Sequence, residues 1–277
     1  MTNFLKIWLV VLMMGTFSIV MGQEVNEDCG RWPLPDSFVN PKINRIDYKE
    51  NLAHFFEKLS AYEEAVHQGS SVPKPKVLMI GDSHVRGNIL PRQVRDSLER
   101  VWAIDFKYLC KNGVQLQYFL KPEQIDSIVA YKPDLLIVAV GTNEAHSNFD
   151  SERYTKLLRE FTAKVLAGTD SATTIMFTTP PGSHIKKGGV TKGKKKVSAS
   201  LLPNGTNKVV ADCQDLFCRE NGFAIWNLLD IAGGERAPSN WRGANLMQRD
   251  GIHYTVDAYR LQGNMLAWAL IDARNSM

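Results

Sequence analysis

Hydrophobic positions fall along this chain in two alternating rhythms. Unbroken apolar runs occur at Val77-Leu78-Met79-Ile80, at Leu135-Leu136-Ile137-Val138-Ala139-Val140 and at Phe223-Ala224-Ile225-Trp226, and Thr173-Thr174-Ile175-Met176-Phe177-Thr178 reads as a further strand flanked by threonines. A weaker run spans Phe106 to Leu109. Continuous runs, as opposed to alternating ones, predict strands buried on both faces. The stretches between them have helical spacing. Residues 51–67 repeat Leu52, Phe55, Phe56, Leu59 and Tyr62, with Glu57, Lys58, Glu63 and Glu64 on other faces. Residues 151–167 carry Tyr154, Leu157, Leu158, Phe161 and Val165 on one stripe. Helices are also expected over 91–102, 207–220 and 256–273. About five strands separated by helices predict an α/β protein, a parallel sheet sandwiched between helical layers. In such sheets sites form beyond the carboxyl ends of the strands. Chemistry is therefore expected just after Ile80 and Val140.

The N-terminus breaks this pattern. Lys6 is the only charged side chain in the first 23 residues, and an apolar run from Ile7 to Met21 follows it. That run fits a signal-peptide core and is short for a membrane span of ~20 residues. Val20 and Gly22 suit the −3 and −1 sites, so residues 1–22 are expected to be a signal peptide cleaved before Gln23. The competing expectation is an uncleaved N-terminal anchor. Either way the bulk of the protein would be exported. Residues 23–72 read as an irregular proline-bearing arm followed by an extra helix, and 73–277 as the main domain. No other segment is apolar enough to cross a membrane.

Composition adds limits. With 277 residues, 44% hydrophobic and 22% charged, the chain is ordinary globular material, not disordered, collagen-like or coiled-coil. The formal net charge of +4 is too small to point to nucleic acid. Cys29, Cys110, Cys213 and Cys218 match no zinc spacing, and neither a metal cluster nor a phosphate-binding glycine loop is found, so no cofactor is expected. Export permits disulfides, and four cysteines allow three pairings. A bridge between Cys213 and Cys218 is not expected, because residues five apart on a helix do not face each other.

Four short motifs stand at or near strand ends. Gly81-Asp82-Ser83-His84 places a serine at a strand-to-helix turn, where a nucleophile is exposed. Asp250-Gly251-Ile252-His253 places a carboxylate where it can hold an imidazole in one tautomer. Asn143, in Gly141-Thr142-Asn143-Glu144, offers an amide that can donate to a developing oxyanion. Gly113, after Asn112, lets a backbone N–H approach a ligand closely. Taken singly, each is equally a cap or a turn.

The four together, in this order, resemble the SGNH or GDSL hydrolase family over residues 77–273. The resemblance implies a flavodoxin-like three-layer fold. It implies Ser83 as nucleophile, His253 as general base and then acid, and Asp250 as its orienting carboxylate. It implies an oxyanion hole from the backbone N–H groups of Ser83 and Gly113 and the Asn143 side chain. His84 departs from the Leu of the G-D-S-L form. The flavour of the motifs is similar to the branch containing bacterial peptidoglycan O-acetylesterases, which implies an O-acylated glycan as substrate. The same triad serves O-acetyltransferases, and a relative without turnover would be a glycan-binding protein. Finally, Lys186, Lys187, Lys192, Lys194, Lys195 and Lys196 fall within eleven residues beside Gly188, Gly189 and Gly193. This reads as a mobile positive loop, either merely solvated or a flap drawing in an anionic polymer. Tyr254, His184, His146 and Trp241 are expected near the same edge, as packing or as sugar contacts.

Overall fold

The computed structural model describes residues 43–169, 173–188, 191–192, 195–196 and 200–277. The expected signal peptide, most of the arm, Cys29 and Lys194 lie outside the described residues. The elements, in chain order, are α1 (Ala53–His67), β1 (Lys76–Gly81), α2 (Ser83–Arg86), α3 (Ile89–Leu98), β2 (Asp105–Cys110), α4 (Leu116–Phe119) and α5 (Pro122–Tyr131). There follow β3 (Leu135–Ala139), α6 (Thr142–Ala145), α7 (Ser151–Gly168) and β4 (Thr174–Thr178). The chain then forms β5 (His184–Lys187), β6 (Thr191–Lys192), β7 (Lys195–Lys196) and β8 (Ser200–Pro203). It closes with α8 (Thr206–Asn221), β9 (Ala224–Trp226), α9 (Leu228–Ile231), α10 (Ala237–Gly243) and α11 (Val256–Asn275).

The main sheet has the order β2-β1-β3-β4-β9, with every pairing parallel. Its strands are buried on both faces because helices cover both. Leu78, Ile80, Leu136, Val138, Ile175, Phe177 and Ile225 point into one core, shared with Phe119, Ile128, Tyr154, Leu158, Phe161, Val165, Val210 and Phe217 from α4, α5, α7 and α8. The alternate residues Val77, Met79, Ile137 and Met176 are equally buried on the other face. There Trp226 donates its indole N–H to Asn44, whose amide donates to the Met265 carbonyl of α11. Helix α11 packs on α3 so closely that a Cβ on Gly263 would stand 2.7 Å from Gln93 Cβ. The result is three layers, α/β/α, as the apolar runs predict.

The register sets the site. Gly81 lies opposite Cys110 on one side and Ala139 on the other, and Ala139 lies opposite Thr178. This row is the carboxyl edge. The chain turns from β1 to β2 on one side and reaches β3 on the other, so β1/β3 is the point where strand order reverses. Ser83 and Asn143 follow those two strands directly.

The structure departs from or adds to the expectations in three places. The lysine-rich stretch is not a plain loop. Its described part is a β-hairpin: β5 pairs antiparallel with β8, and β6 with β7 nearer the tip. Alternation is hard to read there because pairing, not burial, holds the strands: Lys186, Lys187 and Ser200 are exposed. Second, α5 was not expected. Pro122 starts it at the N-terminal end, where a missing N–H costs nothing, yet Ile128 is its only fully buried residue. Third, α4, α9 and α10 are too short to show a period. Among the described residues Cys110, Cys213 and Cys218 are free thiols.

Candidate active site

The turn after β1 sets the serine. Asp82 caps α2 by accepting the His84 backbone N–H at 3.0 Å. Because Asp82 serves as the cap, the Ser83 hydroxyl is free of that duty. Its Oγ lies 2.9 Å from His253 Nε2. On the far side of the ring, His253 Nδ1 lies 2.6 Å from Asp250 Oδ2. A carboxylate only accepts, so Nδ1 carries the proton and Nε2 is left as the acceptor of the serine proton. The structure thus brings together Ser83 and His253, 170 positions apart in sequence.

The loop carrying Asp250 and His253 is held from several directions. Asp250 Oδ1 accepts the backbone N–H groups of Ile252 and His253 at 2.9 and 3.0 Å. Gln248 N–H donates to the His253 carbonyl at 2.7 Å, and Gln248 Nε2 donates to the Tyr254 carbonyl. The Tyr254 hydroxyl reaches the carbonyls of Pro181 and Gly182, and its ring meets Trp241 edge-on. Thr255 then caps α11. Burial pushes the Asp250 carboxyl up, but the His253 ring and the two backbone donors outweigh it and hold it below the ordinary aspartate value. Asp250 is therefore ionised at neutral pH. The Asp250 and His253 side chains are 43% and 32% exposed, so water reaches the pair.

Gly113 and Asn143 stand across the cleft. Gly113 has φ +68°, a conformation that L side chains rarely adopt, so glycine is required there by backbone geometry and not by space. Asn143 directs its amide at Asp82 Oδ2 (3.1 Å) and at the Val114 carbonyl (2.9 Å). Both amide hydrogens therefore have partners already, and an oxyanion would share or displace one of them. The cleft, of about 420 Å³, is lined by Ser83, Arg86, Gly87, Asn112, Gly113, Asn143, Ile252 and His253. Every residue expected at the site except Asp250 lines it, and Asp250 stands directly behind the imidazole.

Beneath the site lies a buried layer that the sequence reading passed over. Asp82 and Glu144 are both buried. Burial pushes each carboxyl up to about 7, and the Glu144 charge adds to the effect on Asp82. Glu144 Oε1 accepts the Leu116 N–H at 2.6 Å, while Oε2 has no partner. His84 is buried too. Its Nδ1 lies 2.8 Å from the Tyr259 hydroxyl, and its ring centroid 5.4 Å from that of His253. Burial, reinforced by the neighbouring His253, pushes its pKa down to about 3, so it is neutral. The only sequence signal for this layer was the charge of Asp82, His84 and Glu144 directly beside strand ends.

Three of the four rim candidates, Tyr254, Trp241 and His184, prove to be buried packing, while His146 is exposed. Tyr254 and Trp241 are fully buried, and the Trp241 indole donates to the Ala232 carbonyl. His184 is buried at the base of β5. His146 Nε2 lies 2.8 Å from Ser183 Oγ. Among the described residues no group of His, Cys, Asp and Glu could hold a metal ion.

A parallel sheet of order 2-1-3-4-5 with Ser, His and Asp at its carboxyl edge defines a class, the α/β/α ester hydrolases. The model of the GDSL-like lipase/acylhydrolase family matches residues 77–266, and the chain belongs to that family. No curated protein sequence matches it significantly. Among solved structures, one described as "Peptidoglycan O-acetylesterase in action" is 15% identical, with TM-score 0.67, covering 81% of this chain and 97% of its own. The psychrotrophic esterase EstA from Pseudoalteromonas sp., solved inhibited by monoethylphosphonate, is 16% identical, with TM-score 0.51, covering 72% and 98%. A G-D-S-L family protein from Desulfitobacterium hafniense DCB-2 is 16% identical, with TM-score 0.51, covering 70% and 98%. These likenesses concern the fold.

Proposed function

We propose that the protein is an exported serine esterase that removes O-acetyl groups from an envelope or extracellular glycan. The observation that carries this reading is the lining of the cleft. Ile252 is the only large apolar side chain among its eight lining residues; the rest are polar, charged or glycine. A long acyl chain would have almost nothing to bury against, whereas an acetyl group on a polar alcohol fits such a lining. The likeness to a structure described as a peptidoglycan O-acetylesterase supports the same direction. Export rests on the N-terminal apolar run. Among the described residues no helix is long and apolar enough to cross a membrane.

The chemistry follows from the geometry. Ser83 Oγ attacks the ester carbonyl while His253 Nε2 takes its proton, and Asp250 steadies the resulting imidazolium through Nδ1–H. The tetrahedral oxyanion is met by the backbone N–H groups of Ser83 and Gly113 and by the Asn143 amide, which gives up its bond to Val114 or Asp82. Collapse breaks the bond to the sugar oxygen, which leaves with the proton from His253. Water then loses a proton to His253 and attacks the acetyl-serine, and the collapse that releases acetate returns that proton from His253 to Ser83 Oγ.

The test is acetate release by the full chain from O-acetylated peptidoglycan and O-acetylated xylan, with Ser83→Ala beside it. Release from one polymer is expected, reduced at least ~10³-fold in Ser83→Ala. Turnover of p-nitrophenyl acetate without release from either polymer would overturn the glycan reading and leave the esterase. No turnover of any ester would overturn both.

A further inference from the structure

The chain's positive charge is concentrated in one place. The whole sequence has net charge +4. The six lysines between Lys186 and Lys196 exceed that total, so everything else together is slightly negative, at −2. No Asp or Glu occurs between Pro181 and Pro203 to offset them. The cleft itself adds one more cation, Arg86.

Five of the six lysines, all but Lys194, belong to described strands of a hairpin whose base meets the candidate site. At the base of the hairpin, the His184 backbone N–H donates to the Gly251 carbonyl at 2.7 Å. A Cβ placed on Gly251 would stand 3.0 Å from His184 Cβ and 3.2 Å from Leu201 Cδ1. Gly251 lies between Asp250 and His253, so the hairpin packs directly on the loop that carries both. His184 pairs with Pro203, and Lys186 with Leu201. Strand residues two apart share a face, so Lys186 lies on the same face as His184 and Leu201, one step further out. Lys186 and Lys187 are exposed, and β6 and β7 form a second short antiparallel pair further along the stretch, with Lys192, Lys195 and Lys196 in their sequence.

We propose that this hairpin is a docking arm for an anionic glycan strand, the polymer whose ester enters the cleft. The inference rests on the glycan-ester reading above and names the charge of that polymer. The residue types narrow the partner. The stretch contains no arginine, so it lacks the planar fork that recognises one phosphate or carboxylate by shape. Lysines respond to charge density along a strand. The stretch also contains no Phe, Tyr or Trp, the rings on which single-stranded nucleic acids stack their bases. A repeating acidic saccharide meets both conditions. Held along the arm, it would keep many esters near Ser83 and raise their local concentration.

Binding tests this without turnover, which separates it from the acetate assay. Full-length Ser83→Ala protein is titrated with polygalacturonate, neutral xylan, single-stranded DNA and anionic phospholipid vesicles at low and high salt. Tight binding to polygalacturonate, weak binding to xylan and loss at high salt are expected. Changing Lys186, Lys187, Lys192, Lys195 and Lys196 to Gln should weaken polygalacturonate binding about tenfold or more, the scale of electrostatic enrichment. The same five positions changed to Arg should retain it, which separates charge from folding. Should the Gln protein not fold, salt sensitivity and the preference of the unmodified hairpin for polygalacturonate over xylan still decide. Equal binding by the Gln protein, no preference for polygalacturonate over xylan, or tighter binding to DNA or vesicles would overturn the proposal.

Discussion

At the scale of single residues, a capping choice exposes the serine. Either Asp82 or Ser83 could have accepted the first free N–H of α2, and Asp82 does so. Ser83 is left to His253, and Asp82 also holds the Asn143 amide at 3.1 Å. One buried carboxylate therefore organises both the turn of the proposed nucleophile and the proposed oxyanion donor. The opposing carboxylate has a different task. Asp250 accepts the Nδ1 proton, and an amide there would favour the wrong tautomer of His253. Asp250→Asn should lower kcat by about 10³–10⁴-fold with little change in KM, read on p-nitrophenyl acetate. A loss below about tenfold would show that His253 is oriented by its backbone contacts alone. Gly113 makes a separate point. Any other residue there pays about 1–2 kcal/mol to hold φ +68°, so Gly113→Ala should move the N–H and lower kcat more than it raises KM.

At the scale of elements, the contact between α3 and α11 is the one that fixes where the last helix begins, and hence where His253 stands. Gly263 makes that contact possible, since its Cβ would overlap Gln93. Gly263→Ala gains about 1 kcal/mol of helix propensity but costs roughly 1–3 kcal/mol in overpacking. The overpacking should win. A fall in Tm of about 2–4 °C per kcal/mol lost is expected, measured by thermal unfolding. A rise in Tm would mean that α3 and α11 separate at that contact at little cost.

Which elements could be read from sequence follows from the same physics. β1, β3 and β4 are sealed under helices on both faces, so their central residues, 77–80, 135–139 and 175–177, are apolar without interruption and the strands are plain. α7 and α8 each turn one stripe to the core, and their period is equally plain. α5 hides because only Ile128 is fully covered. The hairpin hides because its strands bond to each other and to the Gly251 carbonyl, contacts that leave no hydrophobic trace. Likewise Ser83, His253, Asp250, Gly113 and Asn143 were legible because each stands beside a strand end or a cap in a recognisable string. The burial of Asp82 and Glu144 and the His84–Tyr259 contact were not, because spacing does not reveal which side chains turn inward.

At the scale of the whole molecule, the buried carboxyls link stability to pH. Glu144 has an ordinary value of 4.5 and stands at about 7 in the fold. Between those values the folded protein keeps a proton that the unfolded chain has released. Its contribution is therefore fully present below about 4.5 and is lost as pH rises through 7, on the order of 3 kcal/mol. Asp82 has the same sign, chiefly from its own burial. Glu144→Gln should flatten the fall in Tm between pH 4.5 and 7 relative to the unmodified protein. Parallel curves would show that Glu144 stays charged. The hairpin has the opposite relation to the fold. Ser183 and Asn204, which bracket it, are joined by their own backbone hydrogen bond of 2.8 Å, so the layered body closes on itself without the arm. What lies beyond the pair Lys187 and Ser200 can lengthen, shorten or change its sign while His184 and Leu201 keep their grip on Gly251. The molecule is thus divided into a conservative engine and an interchangeable handle. On the docking proposal, a lineage or an engineer would retarget the protein by rewriting a dozen codons while the residues at the sheet edge stay as they are.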